Sequence, residues 1–170
     1  MVYFNGFALQ EEAHFFQEML LESDYTVAGF SYGAQKAFEY VYTTENRVDR
    51  LILLSPAFFQ NHKKSFIRTQ LRYYKADEKA YTEQFLKNVA YPSSRELNPY
   101  LSTASIEELD ALLSYVWDKE KFKVLLDKGV KIEVFIGGKD KIVASQESFE
   151  FFSDLSTTYL FKEAGHLLQS

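Results

Sequence analysis

The sequence predicts an α/β fold, with a mainly parallel sheet, helices on both of its faces and a helical insertion. Strand-like and helix-like segments alternate at both ends of the chain, which is the pattern of parallel strands joined by helices. Residues 60–127 contain no convincing strand. A length of 170 residues favours one domain. We therefore expect a single domain over 1–170, with a helical cap at approximately 60–117 inserted in the core.

The first part of the chain is expected to contribute three strands. Residues 1–5 are short and apolar and end in Asn-Gly, as in a strand that runs into a loop. Apolar residues recur at helical spacing over 8–22, which predicts a helix. A β-type run at 25–29 precedes a helix over 34–42. The continuous apolar run 51–54 is typical of a strand that is covered on both faces.

The rest of the chain is expected to add helices and two more strands. Helices are predicted over 62–75 and 77–90, and Ser105 begins a third helix with a capping box. This third helix is expected to break near Trp117 and to stop at Gly129. The final segments are predicted as a strand, a helix and a strand, at 131–136, 145–155 and 157–161.

Composition and charge exclude several classes of protein. The sequence has no cysteine, which excludes disulfides, thiolate metal sites and a cysteine nucleophile. No apolar run approaches the ~20 residues of a membrane-spanning helix, and the first residues lack the pattern of a secretory signal. A cytoplasmic protein without a membrane partner is therefore expected. The net charge is −5, so general binding of nucleic acid is not expected.

Residues 29–33 form a G-x-S-x-G motif between a predicted strand and a predicted helix. In that context a sharp turn exposes the hydroxyl of Ser31, and a side chain at either glycine would collide where strand and helix cross. The positive end of the helix favours negative charge that develops beside the serine. Ser31 is therefore the candidate nucleophile, with a chance serine in a strand-to-helix loop as the alternative.

A serine nucleophile needs an oriented base, which is usually a histidine. His14 lies inside the first predicted helix, and His62 begins a basic segment away from any strand end. His166 instead follows the last predicted strand, and open α/β sheets place catalysis at the carboxyl ends of their strands. Asp140 follows the strand that ends at Ile136 and is the candidate carboxylate that orients His166.

Two backbone amides complete the predicted site. The N–H of Tyr32, directly after the serine, and the N–H of Phe7, in the loop after the first strand, are expected to bind the oxyanion. The chain order of serine, aspartate and histidine is the order expected of α/β-hydrolases. No metal or organic cofactor is required by such a site.

Together these residues resemble the α/β-hydrolase family over nearly the whole chain. The resemblance rests on an oxyanion loop at 4–7, a nucleophile elbow at 29–33, an acid loop at 137–143 and a histidine loop at 165–166. The chain begins at what would be the third strand of the family and ends four residues after His166. The resemblance therefore implies a truncated α/β-hydrolase fold.

Within that family, a truncated chain of this length with a helical cap is similar to the pimeloyl-[acyl-carrier protein] methyl ester esterases of BioV type. The resemblance implies a serine carboxylesterase that hydrolyses the methyl ester of pimeloyl-acyl carrier protein in biotin (pimelate moiety) biosynthesis. It also implies an acyl carrier protein as the partner that bears the acyl substrate. A thioesterase, a generic short-chain esterase and a catalytically inactive acyl- or carrier-binding module remain the alternatives.

A group of cationic residues in the cap, called the basic stripe, supports a docking partner independently. Its members are spaced four, four and three residues apart and so share one helical face: Lys64, Arg68, Arg72 and Lys75. Acyl carrier proteins are strongly acidic, so the basic stripe is a candidate docking surface, with a solvated helix face as the alternative. Four aromatic residues of the cap are candidates to line a substrate channel, with core packing as the alternative: Phe66, Tyr73, Phe85 and Trp117.

Overall fold

The computed structural model describes all 170 residues, and its centre is a sheet of five parallel strands. The strands lie side by side in the order in which they occur along the chain. Their bounds are β1 Val2–Phe4, β2 Thr26–Phe30, β3 Arg50–Leu54, β4 Lys131–Gly137 and β5 Thr157–Phe161. The predicted parallel sheet is confirmed, and each strand predicted from the sequence is present.

Six α-helices connect the strands. Their bounds are α1 Tyr32–Thr43, α2 Lys64–Ala76, α3 Glu78–Ala90, α4 Ile106–Ser114, α5 Lys119–Asp127 and α6 Ser145–Ser153, and two short 3₁₀ helices occupy Glu12–Phe16 and Asn98–Tyr100. The capping box at Ser105 is confirmed, and so is the break near Trp117, since α4 ends at Ser114 and α5 begins at Lys119. None of the helices combines the length and the apolar character that a membrane span requires.

The sheet is buried on both faces, each against its own hydrophobic cluster. Leu51 and Leu53 of β3 pack in the cluster that contains the apolar residues of α1, α5 and α6. Ile52 and Leu54 pack on the opposite face, under the first 3₁₀ helix, the end of α3 and the last residues of the chain. This two-sided burial explains why residues 51–54 form an uninterrupted apolar run.

Residues 8–22 do not form an α-helix, so this expectation from the sequence is wrong. Only the first 3₁₀ helix is helical there. Ala8 and Glu11 adopt the left-handed region, with φ of 57° and 58°, which a continuous right-handed helix excludes. The amide of Gln10 donates to the carbonyl of Tyr100 at 2.9 Å. A distant segment therefore takes a backbone hydrogen bond that a helix would have made internally.

The parallel register brings the carboxyl ends of all five strands to one edge of the sheet. Phe30 at the end of β2 is paired with Leu54 at the end of β3, and Gly137 at the end of β4 is paired with Phe161 at the end of β5. The loops that follow β1, β2, β4 and β5 leave from this edge. These are the loops in which the sequence places its candidate site residues.

Candidate active site

Ser31 lies in a strained turn between β2 and α1. Its φ of 54° and ψ of −112° are outside the ordinary regions for a residue with a side chain, as expected of a nucleophile elbow. The amide of Ser31 donates to the carbonyl of Leu54 at 2.9 Å, and its carbonyl accepts from the amide of Ala57 at 3.1 Å. Backbone hydrogen bonds to the segment after β3 therefore hold the turn.

Both glycines of the motif are required by close approaches of the backbone. A Cβ atom at Gly29 would lie 2.2 Å from the carbonyl oxygen of Gly33, which confirms the expected crossing of strand and helix. A Cβ atom at Gly33 would lie 2.0 Å from the carbonyl oxygen of Phe4. Gly33 thus lets the first turn of α1 approach the end of β1, where the predicted oxyanion loop begins.

Asp140 and His166 form a buried hydrogen-bonded pair. Oδ2 of Asp140 lies 2.6 Å from Nδ1 of His166, and both side chains are 0% exposed. Oδ1 of Asp140 accepts from the amides of Ile142 and Val143 at 2.6 and 3.1 Å. These bonds orient the carboxylate, which in turn orients the imidazole. Nε2 of His166 is buried and has no hydrogen-bond partner within the protein, so it is free to accept a proton.

The acid loop and the histidine loop pack back to back. The amide of Lys139 donates to the carbonyl of Ala164 at 2.8 Å, and a Cβ atom at Gly137 would lie 2.0 Å from the carbonyl oxygen of Gly165. The Lys139 ammonium also pairs with Glu163, and this hydrogen bond lowers the pKa of the Glu163 carboxyl. The spacing between the two loops is thus set mainly by backbone contact.

Ser55 is a site-supporting residue that the sequence analysis missed. It follows β3 with a left-handed φ of 40°, is buried, and donates its hydroxyl hydrogen bond to the carbonyl of His166 at 2.7 Å. The amide of Ser55 donates to the carbonyl of Phe135 at 2.8 Å. The sequence shows only that this position lacks an acid. The contact joins residues 111 positions apart, and no local pattern signals it.

A cavity of about 770 Å³ lies against this edge of the sheet, and most of its lining residues are hydrophobic. Ser31, Phe7 and Asp140 line it from the core, and side chains of α2, α3 and α4 line it from the insertion. Exposed residues line it at the turn between α2 and α3, along α3 and after β4, so its opening extends from Ala76 and Asp77 past Ala80 and Gln84 to Lys141 and Ala144. A hydrophobic chain with its reacting carbonyl at Ser31 fits such a cavity.

Three of the four aromatic residues predicted to line a channel do line the cavity, namely Phe66, Tyr73 and Phe85. Burial raises the pKa of a further lining aromatic, Tyr81, to about 12, so its hydroxyl stays neutral. The expectation for Trp117 is wrong. Its side chain is 2% exposed in the core and donates from Nε1 to the carbonyl of Ala57 at 2.9 Å, which satisfies the indole N–H away from the cavity.

The other two histidines lie apart from the Asp140 pair. His14 is exposed, with Nδ1 2.8 Å from the carbonyl oxygen of Glu11. His62 is exposed as expected, but it also stacks on Phe66, with 4.1 Å between ring centroids, and lines the cavity. No group of three or more histidine, aspartate and glutamate side chains is close enough to hold a metal ion.

The amides predicted to bind an oxyanion are free of other acceptors. The amide of Phe7 donates to no backbone or side-chain acceptor. Tyr32 is the first residue of α1, where an amide has no acceptor within the helix. Phe7 and Ser31 line the same cavity. Burial, and secondarily the charge of Glu108, raises the pKa of the Tyr32 phenol, so this side chain adds no negative charge beside the elbow.

The four residues of the basic stripe are exposed and none is in an ion pair. They lie on a different face of α2 from the cavity lining, because residues two positions apart on a helix differ by about 200° in direction. Lys64 and Arg68, for example, are each two positions from the lining residue Phe66 and so point away from the cavity. The basic stripe thus faces solvent on the outer side of α2, and its last member, Lys75, adjoins the cavity opening at Ala76.

Comparison with known proteins gives a structural likeness only. No protein-family model and no curated protein matches the sequence. An esterase from Exiguobacterium antarcticum is similar with a TM-score of 0.66 and 19% identity, over 89% of this chain and 62% of the esterase. MenH from S. aureus has a TM-score of 0.60 and 15% identity, over 97% of this chain and 85% of MenH. BioG from Haemophilus influenzae has a TM-score of 0.59 and 11% identity, over 98% of this chain and 87% of BioG.

At these identities the likeness establishes the fold alone. The chain spans less than two thirds of the length of the Exiguobacterium esterase but most of the length of MenH and BioG. Its five parallel strands, with Ser31 in a strained turn after β2 and His166 after β5, agree with that likeness. The chain therefore has the α/β-hydrolase fold, in a truncated form.

Proposed function

We propose that this chain is a serine carboxylic-ester hydrolase. The observation that carries the proposal is the fully buried Asp140–His166 pair, at the same sheet edge as Ser31 and its strained turn. A carboxylate that orients a histidine, at the same sheet edge as a serine that lines a mostly apolar cavity, is the set of groups that acyl transfer needs.

In the first half of the reaction Ser31 becomes acylated. Its Oγ atom attacks the ester carbonyl carbon while Nε2 of His166 takes the hydroxyl proton. The carbonyl oxygen becomes an oxyanion, which the amides of Phe7 and Tyr32 stabilise. The tetrahedral intermediate then collapses, the bond to the alcohol oxygen breaks, and His166 returns its proton to the departing alkoxide. Asp140 holds the proton on Nδ1 and stabilises the transient imidazolium.

The second half of the reaction releases the acid. Water replaces the alcohol, and Nε2 of His166 takes one of its protons as the oxygen attacks the acyl carbon. Collapse of this second tetrahedral intermediate breaks the bond to Oγ of Ser31, which takes the proton back from His166. The products are a carboxylic acid and an alcohol, and the enzyme returns to its starting state. The groups that carry out both halves of the proposed reaction are the Ser31, His166 and Asp140 side chains and the two oxyanion-binding amides.

The proposed substrate is the methyl ester of pimeloyl-acyl carrier protein, and the leaving alcohol is methanol. The apolar lining of the cavity supports an extended acyl chain, with the methyl ester at Ser31. The opening at Ala76 and Asp77 supports an acyl group that remains attached to a carrier outside.

The basic stripe is proposed to dock the acidic carrier protein. Four exposed cations without ion-pair partners are available to an acidic surface, and Lys75 adjoins the opening through which a tethered acyl chain would pass. Charge complementarity of this kind acts mainly on the rate of association and weakens as salt screens it.

The hydrolase proposal is tested with a fluorophosphonate that labels reactive serines and with p-nitrophenyl butyrate. We expect the wild-type protein to be labelled at Ser31 and to hydrolyse the ester. Ser31→Ala should lose both properties while keeping its thermal stability. Ser153→Ala, at an exposed serine of α6 that does not line the cavity, serves as a second serine variant and should still label. A folded wild-type protein that does not label would leave an inactive acyl- or carrier-binding module as the explanation.

The substrate proposal is tested with methyl pimeloyl-acyl carrier protein in a gel-shift assay. We expect cleavage by wild type, none by Ser31→Ala, and slower cleavage by a charge-reversal variant in which Lys64, Arg68 and Arg72 become glutamates. The difference in cleavage rate between this variant and wild type should shrink as the salt concentration rises from about 20 to about 500 mM, because salt screens the attraction between the two proteins.

A matched variant reverses the charge at three exposed lysines outside the basic stripe by replacing each with glutamate: Lys123, Lys128 and Lys162. It has the same net charge as the stripe variant and should cleave like wild type. Equal slowing of both variants would show that only net charge matters. Turnover of p-nitrophenyl butyrate without cleavage of the carrier-bound ester would leave a generic esterase, and cleavage of an acyl thioester in its place would indicate a thioesterase.

A further inference from the structure

Glu12 is a buried carboxyl group that the proposed mechanism does not use. It is 0% exposed and begins the first 3₁₀ helix. Its Oε1 atom accepts a hydrogen bond from the amide of Gly6 at 2.7 Å and one from the hydroxyl of Tyr3 at 3.4 Å, and its Oε2 atom has no partner. A buried carboxyl with an unpaired oxygen costs stability. Its presence therefore needs an explanation other than stability.

The backbone is bent in a way that brings this carboxyl to the loop after β1. Ala8 and Glu11 both have left-handed φ, which residues other than glycine rarely adopt. Between them, the amide of Leu9 donates back to the carbonyl of Gly6 at 3.2 Å. Two left-handed residues within four positions thus fold the chain back, so that Glu12 reaches the amide of Gly6.

We infer that Glu12 is a positioning residue that holds the oxyanion-binding amide of Phe7 in place, an inference that rests on the proposed function. The bond from Gly6 to Glu12 fixes the plane of the peptide before Gly6. Only the two torsions of Gly6 separate that plane from the peptide that carries the Phe7 N–H. The carbonyl of that second peptide accepts from the amide of Leu9 at 3.2 Å, so the Glu12 and Leu9 bonds hold the two sides of Gly6. Because glycine has wide torsional freedom, loss of the Glu12 bond would leave the Phe7 amide held on one side only.

The value of such a contact lies in preorganisation. An oxyanion hole stabilises the transition state because its donors are held in place before charge develops. Gly6 also packs closely against Phe30, since a Cβ atom at Gly6 would lie 2.7 Å from a carbon of that ring. Phe30 also contacts the His166 ring, with 5.0 Å between centroids. The loop therefore contacts both Glu12 and a ring that packs on the proposed base.

The chemistry of the carboxyl is compatible with this role. Burial, the largest influence, raises the pKa of Glu12 above its usual value, while the hydrogen bond from Gly6 opposes this rise. A neutral carboxyl still accepts the Gly6 hydrogen bond through its carbonyl oxygen. A glutamine side chain supplies the same acceptor in nearly the same shape.

The test compares Glu12→Gln, which keeps the acceptor, with Glu12→Leu, which removes it. With p-nitrophenyl butyrate, we expect Glu12→Leu to lower kcat about 10–100-fold, less than the roughly 10²–10³-fold loss of a deleted oxyanion donor, with KM within about twofold. Glu12→Gln should stay within about threefold of wild type. Tyr115→Phe removes a hydrogen bond of 2.7 Å to Glu39, away from the loop, and should leave kcat unchanged.

A measurement by NMR makes the test independent of turnover. In the wild-type protein and in Glu12→Gln, we expect a Phe7 amide order parameter near that of rigid backbone, about 0.85, and slow exchange of the Gly6 amide. In a folded Glu12→Leu both should change, with the order parameter falling toward about 0.6. Wild-type kcat, or an unchanged Phe7 order parameter, in folded Glu12→Leu would overturn the inference. Failure of the wild type to label at Ser31 would instead overturn the hydrolase proposal.

Discussion

The three catalytic residues predicted from the sequence share one property, which is their position in the segment that follows a strand. Ser31 follows β2, Asp140 lies three residues after β4, and His166 follows β5 by five residues. Parallel strands bring the segments after their carboxyl ends to a common edge of the sheet. The position of each residue after a strand therefore predicts that the three residues lie close together. The structure brings Asp140 and His166 into hydrogen-bond contact and places Ser31 in the cavity that Asp140 also lines.

Residues that support the site were not predictable in this way. The sequence predicts a helix around Glu12, yet this residue is buried against the amide of Gly6. No feature of the sequence singles out Ser55, yet its hydroxyl donates to the carbonyl of His166. Both contacts depend on a turn or on distant chain segments. Neither produces a period or a motif in the sequence.

Substitution of Asp140 by asparagine should separate activity from stability. Asp140→Asn retains an oxygen that accepts from Ile142 and Val143, but its NH₂ group opposes the Nδ1 proton of His166 and favours the wrong tautomer. We expect kcat for p-nitrophenyl butyrate to fall about 10³–10⁴-fold. Thermal unfolding should show a much smaller change than the kinetics.

The control for this variant is Asp110→Asn, which alters an exposed aspartate that accepts a hydrogen bond from Ser114. Its kcat should equal that of the wild type. If Asp140→Asn kept more than about a tenth of wild-type kcat, Asp140 would not be the group that orients the base in the proposed mechanism.

Helices and strands were predicted well where their signals are local. The helix around residue 110 begins at the predicted capping box, and α5 ends before Gly129, whose φ of 82° suits a residue without a side chain. The helix predicted over 8–22 is absent because backbone groups there bond to a distant segment, with Gln10 donating to Tyr100 and Ala8 accepting from Ser102, and because two residues are left-handed. Its apolar spacing reflects burial of residues such as Phe16 in a loop and a short 3₁₀ helix.

The capping box of α4 should contribute measurably to stability. Ser105 accepts from the amide of Glu108 at 3.1 Å, and the Glu108 side chain accepts from the amide of Ser105 at 3.0 Å. Ser105→Ala removes the first of these bonds, so we expect the free energy of unfolding to fall by about 1 kcal/mol in urea titrations. Ser65→Ala, at an exposed position of α2 without a capping bond, should change it by less than about 0.5 kcal/mol. Equal stability of the two variants would contradict the prediction.

The chain as a unit combines a conventional sheet with a cavity that no single element encloses. The core supplies Ser31 and Asp140, and the insertion supplies the apolar side chains that face them from α2, α3 and α4. Gln35 of α1 joins the two parts, because its Nε2 donates to the carbonyls of Ala57 and Leu112 at 3.1 and 3.0 Å. The cavity is therefore a product of packing between segments that are separate in the sequence.

Overall stability should respond to pH through Glu12. Burial raises the pKa of its carboxyl in the folded state, so the folded protein retains a proton that the unfolded chain releases. The contribution of Glu12 to the free energy of unfolding should fall as pH rises from the unfolded pKa, about 4.3, through the raised folded value. Of the neighbouring titratable groups, Tyr3 stays neutral because burial and Glu12 raise its pKa, and the charge of His14 opposes the rise at Glu12.

Urea unfolding of wild type and Glu12→Gln at a series of pH values measures this effect. The glutamine variant lacks the titrating group, so its stability relative to wild type should increase across that pH window and then level off. All other titrating groups are common to the two proteins and cancel in the difference. Parallel pH profiles would show that Glu12 has the same pKa in the folded and unfolded states.

The sequence by itself determined the alternation of strands and helices, the elbow at Ser31 and the positions of Asp140 and His166 after strand ends. These features depend on periods, caps and turns that span a few neighbouring residues. Only the tertiary structure decided that Glu12 is buried against Gly6, that Trp117 packs in the core and that the basic stripe faces away from the cavity lining. Burial and facing direction are set by segments that meet across the fold, and no local pattern encodes which segments those are.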